Sequence, residues 1–408
     1  MMDYKFQSIS LEEALALCLE TTKGVFWPQI EKITLDKALG RITAKDYHAS
    51  YLQPPFHRSA VDGYAVRSDD IMTASKQNPI QLTVIGEVNA GEVPTSRVEE
   101  KTAIRIMTGA PIPDGANGVL RQEVTDYGEV VVKVYQGLKE SENICLAGED
   151  YRAGECLVGQ GEKLTFIEIG LLASMGYAEV EVYKQPRIGL FTTGDELIEP
   201  GLPLTKGKIY NANQALLYAR FQELGIVPVM VKQLPDTASE VAAFLQEAAR
   251  KVDIIVTTGG VSVGKRDIMH EVLIRAKAQA IFWKVRMKPG APTIFAMLGK
   301  VPILALSGNP FGALANMELL VRPTLYQMSG AKAKVGNCKT AIMRDTFTKS
   351  SSCKRFIRGI YLEGEVSLPT GLQSSGVLRT LQGCNCLIEI DENISEIKAG
   401  ELVKVVLL

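Results

Sequence analysis

The sequence predicts a multidomain α/β plus β fold. Three observations predict this architecture. Apolar strand-like runs alternate with helical segments after Pro186, which is typical of a doubly wound, mostly parallel sheet. Short β-like runs separated by turn residues precede that region and predict a β-rich inserted domain. Similar runs follow it and predict a small C-terminal β-barrel-like domain. The predicted boundaries are 1–48 with 150–182 for a discontinuous domain I, 49–149 for domain II, 183–328 for domain III and 329–408 for domain IV.

The composition argues against two classes of binding partner. The formal net charge is −1, so we expect neither nucleic acid nor a polybasic membrane surface as a partner. The N-terminus lacks an apolar signal core, and no apolar run is long enough to span a bilayer. The seven cysteines form no C-x-x-C pair and there are three histidines. This pattern predicts reduced thiols, no zinc site and a cytoplasmic protein.

Helical patterns at two places predict the discontinuous first domain. Ser10–Glu13 has the capping-box sequence S-L-E-E, in which the serine side chain caps the helix start. A second short helix is predicted from Asp36 to Leu39, where Gly40 ends it. The apolar run Phe166 to Met175 predicts a helix that returns the chain to this domain. The β-rich part between them is therefore predicted to be an insertion.

The inserted domain contains more prolines and turn residues, which restrict the backbone, than plain β-hairpins need. Tyr51 to Arg67 contains two consecutive prolines and the turn signal Asp62-Gly63, which force extended and turn conformations. In the segment Thr102 to Gln122, a strand is predicted to end at Thr108-Gly109, before a loop with two prolines and another Asp-Gly turn. Strands are also predicted at Leu82–Val84 and Val130–Val134.

Strands and helices alternate in domain III. Strands are predicted at Ile188–Phe191, Val227–Val231, Ile254–Val256, Ile281–Trp283, Ile294–Met297 and Val301–Leu306. Helices are predicted at Asn213–Leu224, Ser239–Arg250 and Pro310–Leu320. Ligands of such domains bind where loops leave the carboxyl ends of strands. Three loops of this kind carry polar groups: Thr192–Leu197, Thr258–Asp267 and Ser307–Pro310.

The end of the chain is predicted to form a separate β domain. Pro323 and Gly330 mark its boundary with domain III. Short apolar runs broken by glycine follow, and the clearest predicted strands are Cys386–Ile390 and Leu402–Leu407.

The stretch Asp253–Asp267, D-I-I-V-T-T-G-G-V-S-V-G-K-R-D, predicts the main binding loop. Its β-branched run predicts a buried strand. Gly259-Gly260, Ser262 and Gly264 would let backbone N–H groups turn toward an anion, usually phosphate. Asp267 is placed to cap the next helix or to hold a cation. An ordinary tight βα turn accounts for the same glycine spacing, so the neighbouring loops decide between the two interpretations.

Charged side chains accompany these loops. Asp195-Glu196 and Asp267 place carboxylates at two strand ends, and such oxygen ligands suit Mg²⁺, which bridges carboxylates and substrate phosphates. Lys284 and Lys288 lie in F-W-K-V-R-M-K-P-G and would neutralise an oxyanion, although a solvated basic face gives the same pattern. Ser307–Pro310 offers backbone N–H groups at a helix start, a second anion site. No Ser/His/Asp set stands out.

Seven motifs occur together in this order: P-P-F-x-x-S-A-V-D-G-Y-A-V-R, R-I-M-T-G-A-P-I-P-D-G-A-N, G-E-D, T-G-D-E-L, T-G-G-V-S-V-G-x-x-D, F-W-K-V-x-M-K-P-G and S-G-N-P. With these motifs in this order, the chain resembles the MoeA family of molybdopterin molybdenumtransferases, which includes the E domain of gephyrin. The resemblance runs from about Leu11 to the C-terminus. The Gly-Gly loop alone would fit other molybdopterin-binding domains, whereas the blocks around Asp62 and Thr108 single out this family.

The resemblance implies an elongated homodimer of four domains, the first interrupted by the second. It also implies Mg²⁺-dependent insertion of molybdenum from molybdate into adenylylated molybdopterin, with release of AMP. A molybdopterin adenylyltransferase and molybdoenzyme-side acceptors would be the partners.

The resemblance assigns roles residue by residue. The implied catalytic residues are Asp62, Thr108, Glu196, Asp236, Asp267, Lys284 and Lys288. The implied metal-side carboxylates are Glu196, Asp267 and Asp150. The implied cofactor-binding residues are Thr193, Gly194, Gly259, Gly260, Ser262, Gly264, Ser307, Gly308, Asn309, Pro310, Arg355 and Ser375.

Three departures from the family pattern bear on efficiency and oxyanion choice. Ser307 stands where the family often has the proline of P-G-N-P. Ala291 stands where P-G-K-P is common, which removes a cation near the expected anion site. His57-Arg58 replaces a commoner Asp/Asn-type pair, and its arginine is a candidate to compensate for the missing lysine.

Three other functions stay open on the sequence alone. The first is a binding or scaffold role without turnover, which should tolerate neutralisation of Glu196 and Asp267. The second is a tungstate-inserting or specialised paralogue, to which the departures at Ala291 and Ser307 point. The third is a nucleotide hydrolase that shares only the α/β domain and would not need the Asp62 block.

Overall fold

The computed structural model describes residues 8–25, 28–261, 268–332 and 338–408. The chain forms two compact units. The larger unit consists of Met1–Lys45, Gln160–Ile169 and Ala178–Leu408, and the smaller unit of Asp46–Gly159 and Gly170–Tyr177. The smaller unit therefore interrupts the larger one along the chain. The division into four domains with the boundaries given above stays a prediction.

The larger unit begins with the helix Leu11–Val25. The backbone N–H of Glu13 donates to the Ser10 side-chain oxygen at 3.1 Å, which confirms the predicted N-cap. Ala14 and Cys18 are fully buried on the inner face of the helix, in the core cluster that also contains strands of the α/β sheet. The helix is therefore anchored to domain III by its apolar stripe.

The predicted second helix is a single 3-10 turn, Leu35–Lys37. It follows the strand Ile30–Thr34, which pairs antiparallel with Glu179–Tyr183. Only one turn fits between the end of that strand and Gly40, whose φ of +77° reverses the chain. The later predicted helix forms over Phe166–Ser174, one residue shorter than predicted.

The smaller unit contains a curled five-stranded sheet. Its strands, in spatial order, are Gly118–Arg121, Gly63–Val66, Thr102–Ile106, Ile80–Val88 and Val131–Val134. The register shifts between Val84 and Glu87, and such an irregularity bends a strand. Side chains are buried on both faces of the sheet, in two clusters that include Tyr64, Leu82, Val132, Ala65, Ile104 and Val119. The remaining elements are the helices Ser68–Ile71 and Gln122–Val124 and the strand pairs Tyr47–His48 with Cys156–Val158 and Arg58–Ser59 with Ile144–Cys145.

Domain III is a six-stranded sheet with helices on both faces. Its strands, in spatial order, are Met230–Leu234, Ile188–Thr193, Ile254–Thr258, Val301–Leu306, Pro292–Leu298 and Gln279–Lys284. The first four are parallel and the last two pairings are antiparallel. The helices are Ala212–Glu223, Ala238–Ala248, Met269–Ala276 and a long helical stretch from Pro310. The two faces bury separate apolar clusters, which confirms the predicted doubly wound architecture.

The prediction of a strand at Val227–Val231 was wrong in position. The strand runs from Met230 to Leu234, while Val227 and Val229 are each 55% exposed. The intervening Pro228 has no N–H to donate to a neighbouring strand. Pairing therefore starts beyond Pro228: the Val229 N–H donates to the Ile188 carbonyl at 2.9 Å, and the strand continues from Met230.

The helix that begins at Pro310 continues well beyond its predicted end at Leu320. An α-helical part, Pro310–Asn316, passes into a π-helical part, Met317–Val321, and then into α-helix Arg322–Met328. Pro323 lies in the first turn after the π-helical part, where the wider winding leaves no helical hydrogen bond for its missing N–H to break. The helix ends near Gly330, where φ is +77°.

The C-terminal region confirms the predicted barrel-like domain. Five strands close on one another, because Lys354–Leu362 pairs with both Glu365–Ser367 and Cys386–Ile390. The other two strands are Cys338–Met343 and Leu402–Leu407. The short strand Met287–Lys288 of domain III adds to the barrel beside Lys354–Leu362, and Arg379–Leu381 forms a 3-10 turn. Within the described ranges, no helix is long and apolar enough to cross a membrane.

Candidate functional site

A cleft of about 740 Å³ opens where the parallel strands of domain III end. The three predicted loops all reach it, because the carboxyl ends of parallel strands lie at one edge of a sheet. The predicted residues that line it are Thr193, Gly194, Glu196, Asp236, Gly259, Gly260, Ser307, Gly308, Asn309 and Pro310. The structure thus brings together residues that are more than a hundred positions apart in the sequence.

Carboxylates line the cleft beside the first loop. The backbone N–H of Asp195 donates to the Asp236 carboxylate at 3.1 Å, and the N–H of Asp236 donates to the Asp195 carboxylate at 3.1 Å. This reciprocal pair fixes the two loops to each other. Gly194 has φ +152°, and a Cβ there would lie 2.9 Å from both carboxylate oxygens of Glu196. A glycine is therefore needed for Glu196 to occupy its position over the loop.

The glycines of the second loop lie in close contact with the first loop. Gly259 and Gly260 have φ values of +98° and +64°. A Cβ on Gly259 would lie 2.3 Å from the carbonyl oxygen of Thr193, so the close approach requires the predicted glycine. Ser262, Gly264 and Asp267, which were predicted to complete this loop, lie outside the described residues.

Two buried polar atoms at the cleft lack a hydrogen-bond partner among the residues that the structure describes. They are the Thr193 side-chain oxygen Oγ1 and the Asn213 side-chain oxygen Oδ1, and both residues line the cleft. Buried polar atoms are almost always hydrogen-bonded. A polar ligand, or water, would satisfy them.

The third loop, Ser307–Pro310, is held from two sides. Thr258 Oγ1 donates to the Ser307 carbonyl at 2.8 Å, and Asn213 Nδ2 donates to the Gly308 carbonyl at 2.7 Å. From the barrel, the Ser375 carbonyl accepts the Phe311 N–H at 3.1 Å, and Ser375 Oγ accepts from the Asn309 side chain at 3.2 Å. The predicted Ser375 therefore supports the loop directly, and its neighbour Gly376 lines the cleft.

The predicted basic residues do not line this cleft. Lys284 and Lys288 are exposed, and Lys288 lies opposite Arg355 in the strand pairing between domain III and the barrel. The Arg355 guanidinium donates to the Ser350 carbonyl at 2.9 Å and lies over the Phe347 ring at 5.7 Å. The structure thus brings Lys288 and Arg355 to one strand pair beside the cleft-forming loops.

Sequence reasoning missed Arg358, three residues after Arg355. Its side chain is fully buried, and its guanidinium lies 3.8 Å from the centroid of the Phe311 ring. It donates to the carbonyls of Ser374 at 3.0 Å and Val377 at 2.6 Å, and so holds the segment that contains Ser375. Burial lowers the pKa of this guanidinium from its ordinary value. The available signal was an arginine inside the apolar run F-I-R-G of a predicted β domain.

The smaller unit contains the predicted pair Asp62 and Thr108. The Thr108 N–H and hydroxyl both donate to one Asp62 carboxylate oxygen, at 2.7 and 2.6 Å. The side-chain bond, followed by the backbone bond, lowers the pKa of Asp62 below its usual range. A Cβ on Gly63 would lie 1.8 Å from the Leu120 carbonyl oxygen, which explains the Asp-Gly sequence. Asp150 belongs to this same unit and is exposed.

The acidic residues that line the cleft are oxygen donors of the kind that Mg²⁺ takes. No group of three or more His, Cys, Asp or Glu side chains in the described ranges is arranged to hold a metal ion. Mg²⁺, however, is often held by one or two carboxylates, with water and substrate phosphates supplying the other ligands. Glu196, Asp195 and Asp236 line the cleft and supply hard oxygen donors of this kind.

Comparisons with known proteins cover nearly the whole chain. Family models of the MoeA N-terminal region (domains I and II), a probable molybdopterin-binding domain and the MoeA C-terminal region (domain IV) match residues 9–176, 189–327 and 340–408. A molybdopterin molybdenumtransferase of Staphylococcus aureus (strain COL) is 36% identical over 378 residues, which are 92% of this chain and 90% of that protein. A protein of the same name from Staphylococcus epidermidis (strain ATCC 12228) is 35% identical over the same shares.

A solved structure agrees with these sequence matches. The molybdopterin biosynthesis MoeA protein of Pyrococcus horikoshii OT3 is 32% identical, with a TM-score of 0.82 over 98% of this chain and all of that one (100%). Sequence and fold therefore lead to the same conclusion: the chain belongs to the MoeA family of molybdopterin molybdenumtransferases.

Proposed function

We propose that this chain inserts molybdenum from molybdate into adenylylated molybdopterin and releases AMP in a Mg²⁺-dependent reaction. The observation that carries the proposal is the cleft of about 740 Å³, on which three loops of a MoeA-family chain converge. The cleft is lined by carboxylates of the first loop and by the loop at the start of the helix Pro310–Asn316. Such a cleft has the size and the polar groups that a phosphorylated pterin requires.

The glycine loop and the serine-containing loop are proposed to hold the phosphate and pterin groups. Gly259, Gly260 and Gly308 have no Cβ that would block a ligand, and Pro310 begins the helix behind the serine-containing loop. The unpartnered oxygens of Thr193 and Asn213 support a polar ligand at the floor of the cleft. The proposed binding set also includes Gly194, Ser262, Gly264, Ser307, Asn309, Arg355 and Ser375.

Glu196 and Asp267 are proposed to hold Mg²⁺ against the substrate phosphates, with Asp150 as a further candidate. When bound, Mg²⁺ would neutralise phosphate charge and make AMP a better leaving group. The reciprocal hydrogen bonds between Asp195 and Asp236 support a positioning role for Asp236, because they fix the loop that carries Glu196.

Lys284 and Lys288 are proposed to neutralise molybdate. Molybdate and the pterin dithiolene are both anionic, so bringing them together requires fixed positive charge and N–H donors that offset the repulsion. Asp62 and Thr108 are proposed functional residues of the smaller unit. The hydrogen bonds from Thr108 orient the Asp62 carboxylate and lower its pKa.

The oligomeric state, the compartment and the partners are proposed on the resemblance to the family. We propose that the protein works as a homodimer in the cytoplasm. A molybdopterin adenylyltransferase would supply its substrate, and molybdoenzyme-side acceptors would receive its product.

The test is AMP release by the purified protein. The protein is incubated with adenylylated molybdopterin and Mg²⁺, with molybdate, with tungstate or without oxyanion. Oxyanion-dependent AMP release is expected, faster with molybdate. Glu196→Gln should lower the rate by about 10-fold or more, the usual range for altering a metal site. Glu199→Gln is the matched control, because this exposed carboxylate lies two residues after the same loop and does not line the cleft.

Other outcomes would favour the alternatives. Faster release with tungstate would favour a tungstate-inserting paralogue, to which the departures at Ser307 and Ala291 point. Tight binding of the nucleotide substrate without any release would favour a binding or scaffold protein. Hydrolysis of a free nucleotide without the pterin would favour a nucleotide hydrolase.

A further inference from the structure

Asn316 links two loops of the site without lining the cleft. It lies at the end of the α-helical part that begins at Pro310 and is fully buried. Its side-chain oxygen accepts the Ser307 N–H at 3.2 Å, and its side-chain nitrogen donates to the Gly290 carbonyl at 3.0 Å. The same nitrogen lies 3.8 Å from the Met287 sulfur. Both the oxygen and the nitrogen of this buried amide therefore form hydrogen bonds.

The two loops that Asn316 joins have different proposed tasks. The lysine turn, residues 284–290, carries Lys284 and Lys288. The serine loop, residues 307–310, lines the cleft. Gly290 has φ +91°, and a Cβ there would lie 2.6 Å from the Asn316 side-chain nitrogen. The sequence therefore combines a glycine and a buried amide so that the two loops approach closely.

Both loops have further supports. The serine loop is also held by Thr258, Asn213 and Ser375. The lysine turn is held by hydrogen bonds of Ile9 with Lys284 and Arg286 and by the pairing of Met287–Lys288 with the barrel strand. The carbonyl of Gly290, at the end of this turn, is held by Asn316 and by the Thr293 hydroxyl, which donates to it at 2.6 Å. Loss of Asn316 should therefore shift the Gly290 end of the lysine turn, two residues after Lys288, relative to the serine loop.

We propose that Asn316 is a positioning residue that sets the distance between the lysine turn and the serine loop, and thereby the affinity for the oxyanion substrate. The proposal rests on the proposed function, in which the lysines neutralise molybdate. A satisfied buried amide is suited to this task, because buried hydrogen-bond networks allow one arrangement and resist others. Small displacements of a charged group then have large effects on binding and rate.

The test compares two substrates in variants of the enzyme. Asn316→Leu keeps the branched shape of the side chain, at a larger volume, and removes both hydrogen bonds. We expect the KM for molybdate to rise by about 10- to 100-fold, while the KM for adenylylated molybdopterin changes by less than about 3-fold. Thr293→Val removes the other support of the Gly290 carbonyl, and the same selective change is expected at smaller size.

Thr324→Val is the matched control. Thr324 is a fully buried threonine on the same helical stretch, and its hydroxyl donates to the Leu320 carbonyl at 2.7 Å. Thr324→Val should lower the free energy of unfolding by about as much as Thr293→Val does, and it should leave both KM values unchanged. Equal rises of both KM values in Asn316→Leu, or an unchanged molybdate KM in folded Thr293→Val, would overturn the proposal.

Direct molybdate binding separates this proposal from the proposed function. Equilibrium dialysis with molybdate alone measures its Kd for the wild type and for each variant. If the wild type releases no AMP but binds molybdate, and Asn316→Leu weakens that binding by about 10-fold or more, the positioning role holds while the transferase proposal fails. Equal molybdate Kd values for wild type, Asn316→Leu and Thr293→Val would refute the positioning role whatever the turnover.

Discussion

The substitution Gly312→Ala tests how closely the serine loop is packed against its helix. A Cβ on Gly312 would lie 2.7 Å from Ser307 Oγ, 2.9 Å from Ser307 Cβ and 3.3 Å from the Gly290 nitrogen. The first two distances are too short for any real contact, so Ser307 must move. Ser307 occupies a position where the family often has proline, and Gly312 provides the space that its side chain uses.

Two opposing free energies set the expected magnitude. Replacing glycine by alanine inside a helix ordinarily stabilises a protein by about 1 kcal/mol, and overpacking a close contact costs about 1–3 kcal/mol. Gly312→Ala should therefore lower the free energy of unfolding by up to about 2 kcal/mol. In a Ser307→Gly background the two short contacts disappear, and the same substitution should stabilise. The coupling between the two positions should be about 1–3 kcal/mol.

Urea unfolding of the four proteins in this double-mutant cycle measures the coupling. Gly170→Ala is the control, because Gly170 lies in the helix Phe166–Ser174 and a Cβ there meets nothing within 4 Å. Gly170→Ala should raise the free energy of unfolding by about 1 kcal/mol, the ordinary gain when alanine replaces glycine in a helix. The reasoning is refuted if Gly312→Ala and Ser307→Gly are additive within about 0.5 kcal/mol.

Three further predictions concern other parts of the site. Thr108→Val removes one of two hydrogen bonds to Asp62 and should raise its pKa toward the ordinary value, as measured by carboxyl NMR titration. Because the folded pKa is lowered, the lost stabilisation is present above the unfolded pKa and vanishes as pH falls through the folded one. Gly259→Ala should abolish turnover and weaken nucleotide binding, because its Cβ would lie 2.3 Å from the Thr193 carbonyl oxygen. Arg358→Met should lower the free energy of unfolding by about 1–3 kcal/mol, because it removes the hydrogen bonds of a buried guanidinium to the Ser374 and Val377 carbonyls, as measured by urea unfolding.

Each of these has a contrary outcome. An unchanged pKa of Asp62 in Thr108→Val would show that the side-chain bond does not form in solution. Normal nucleotide affinity in Gly259→Ala would mean that the two loops are not pressed together. Unaltered stability in Arg358→Met would show that the guanidinium is not needed to hold the barrel segment over the cleft.

Local signals in the sequence predicted the parts of the fold that depend on near neighbours. The strands Val301–Leu306, Cys386–Ile390 and Leu402–Leu407 have the predicted bounds, because each is a mainly apolar run with turn residues beside it; a single charged residue interrupts each of the last two. The helix cap at Ser10 formed as predicted, because capping needs only the next three residues. The carboxyl-end rule for parallel strands placed the three loops at one cleft.

Features that depend on distant contacts could not be predicted in this way. The pairing of Asp195 with Asp236 joins loops about forty residues apart, and neither residue shows this locally. The choice between Arg355 and Arg358 depends on which side chain of the strand faces the Phe311 ring. Strand alternation alone does not decide it, because both faces of this part of the strand contact protein. The role of Asn316 appears only once Ser307 and Gly290 are seen on either side of it.

The central claim is that metal insertion and AMP release are one reaction. The most direct measurement is therefore the ratio of molybdenum bound to pterin to AMP released in a single turnover, with molybdate and Mg²⁺ present. The account predicts a ratio close to one, and no AMP without oxyanion. AMP release at the same rate without oxyanion, or AMP release with no molybdenum in the pterin fraction, would contradict it.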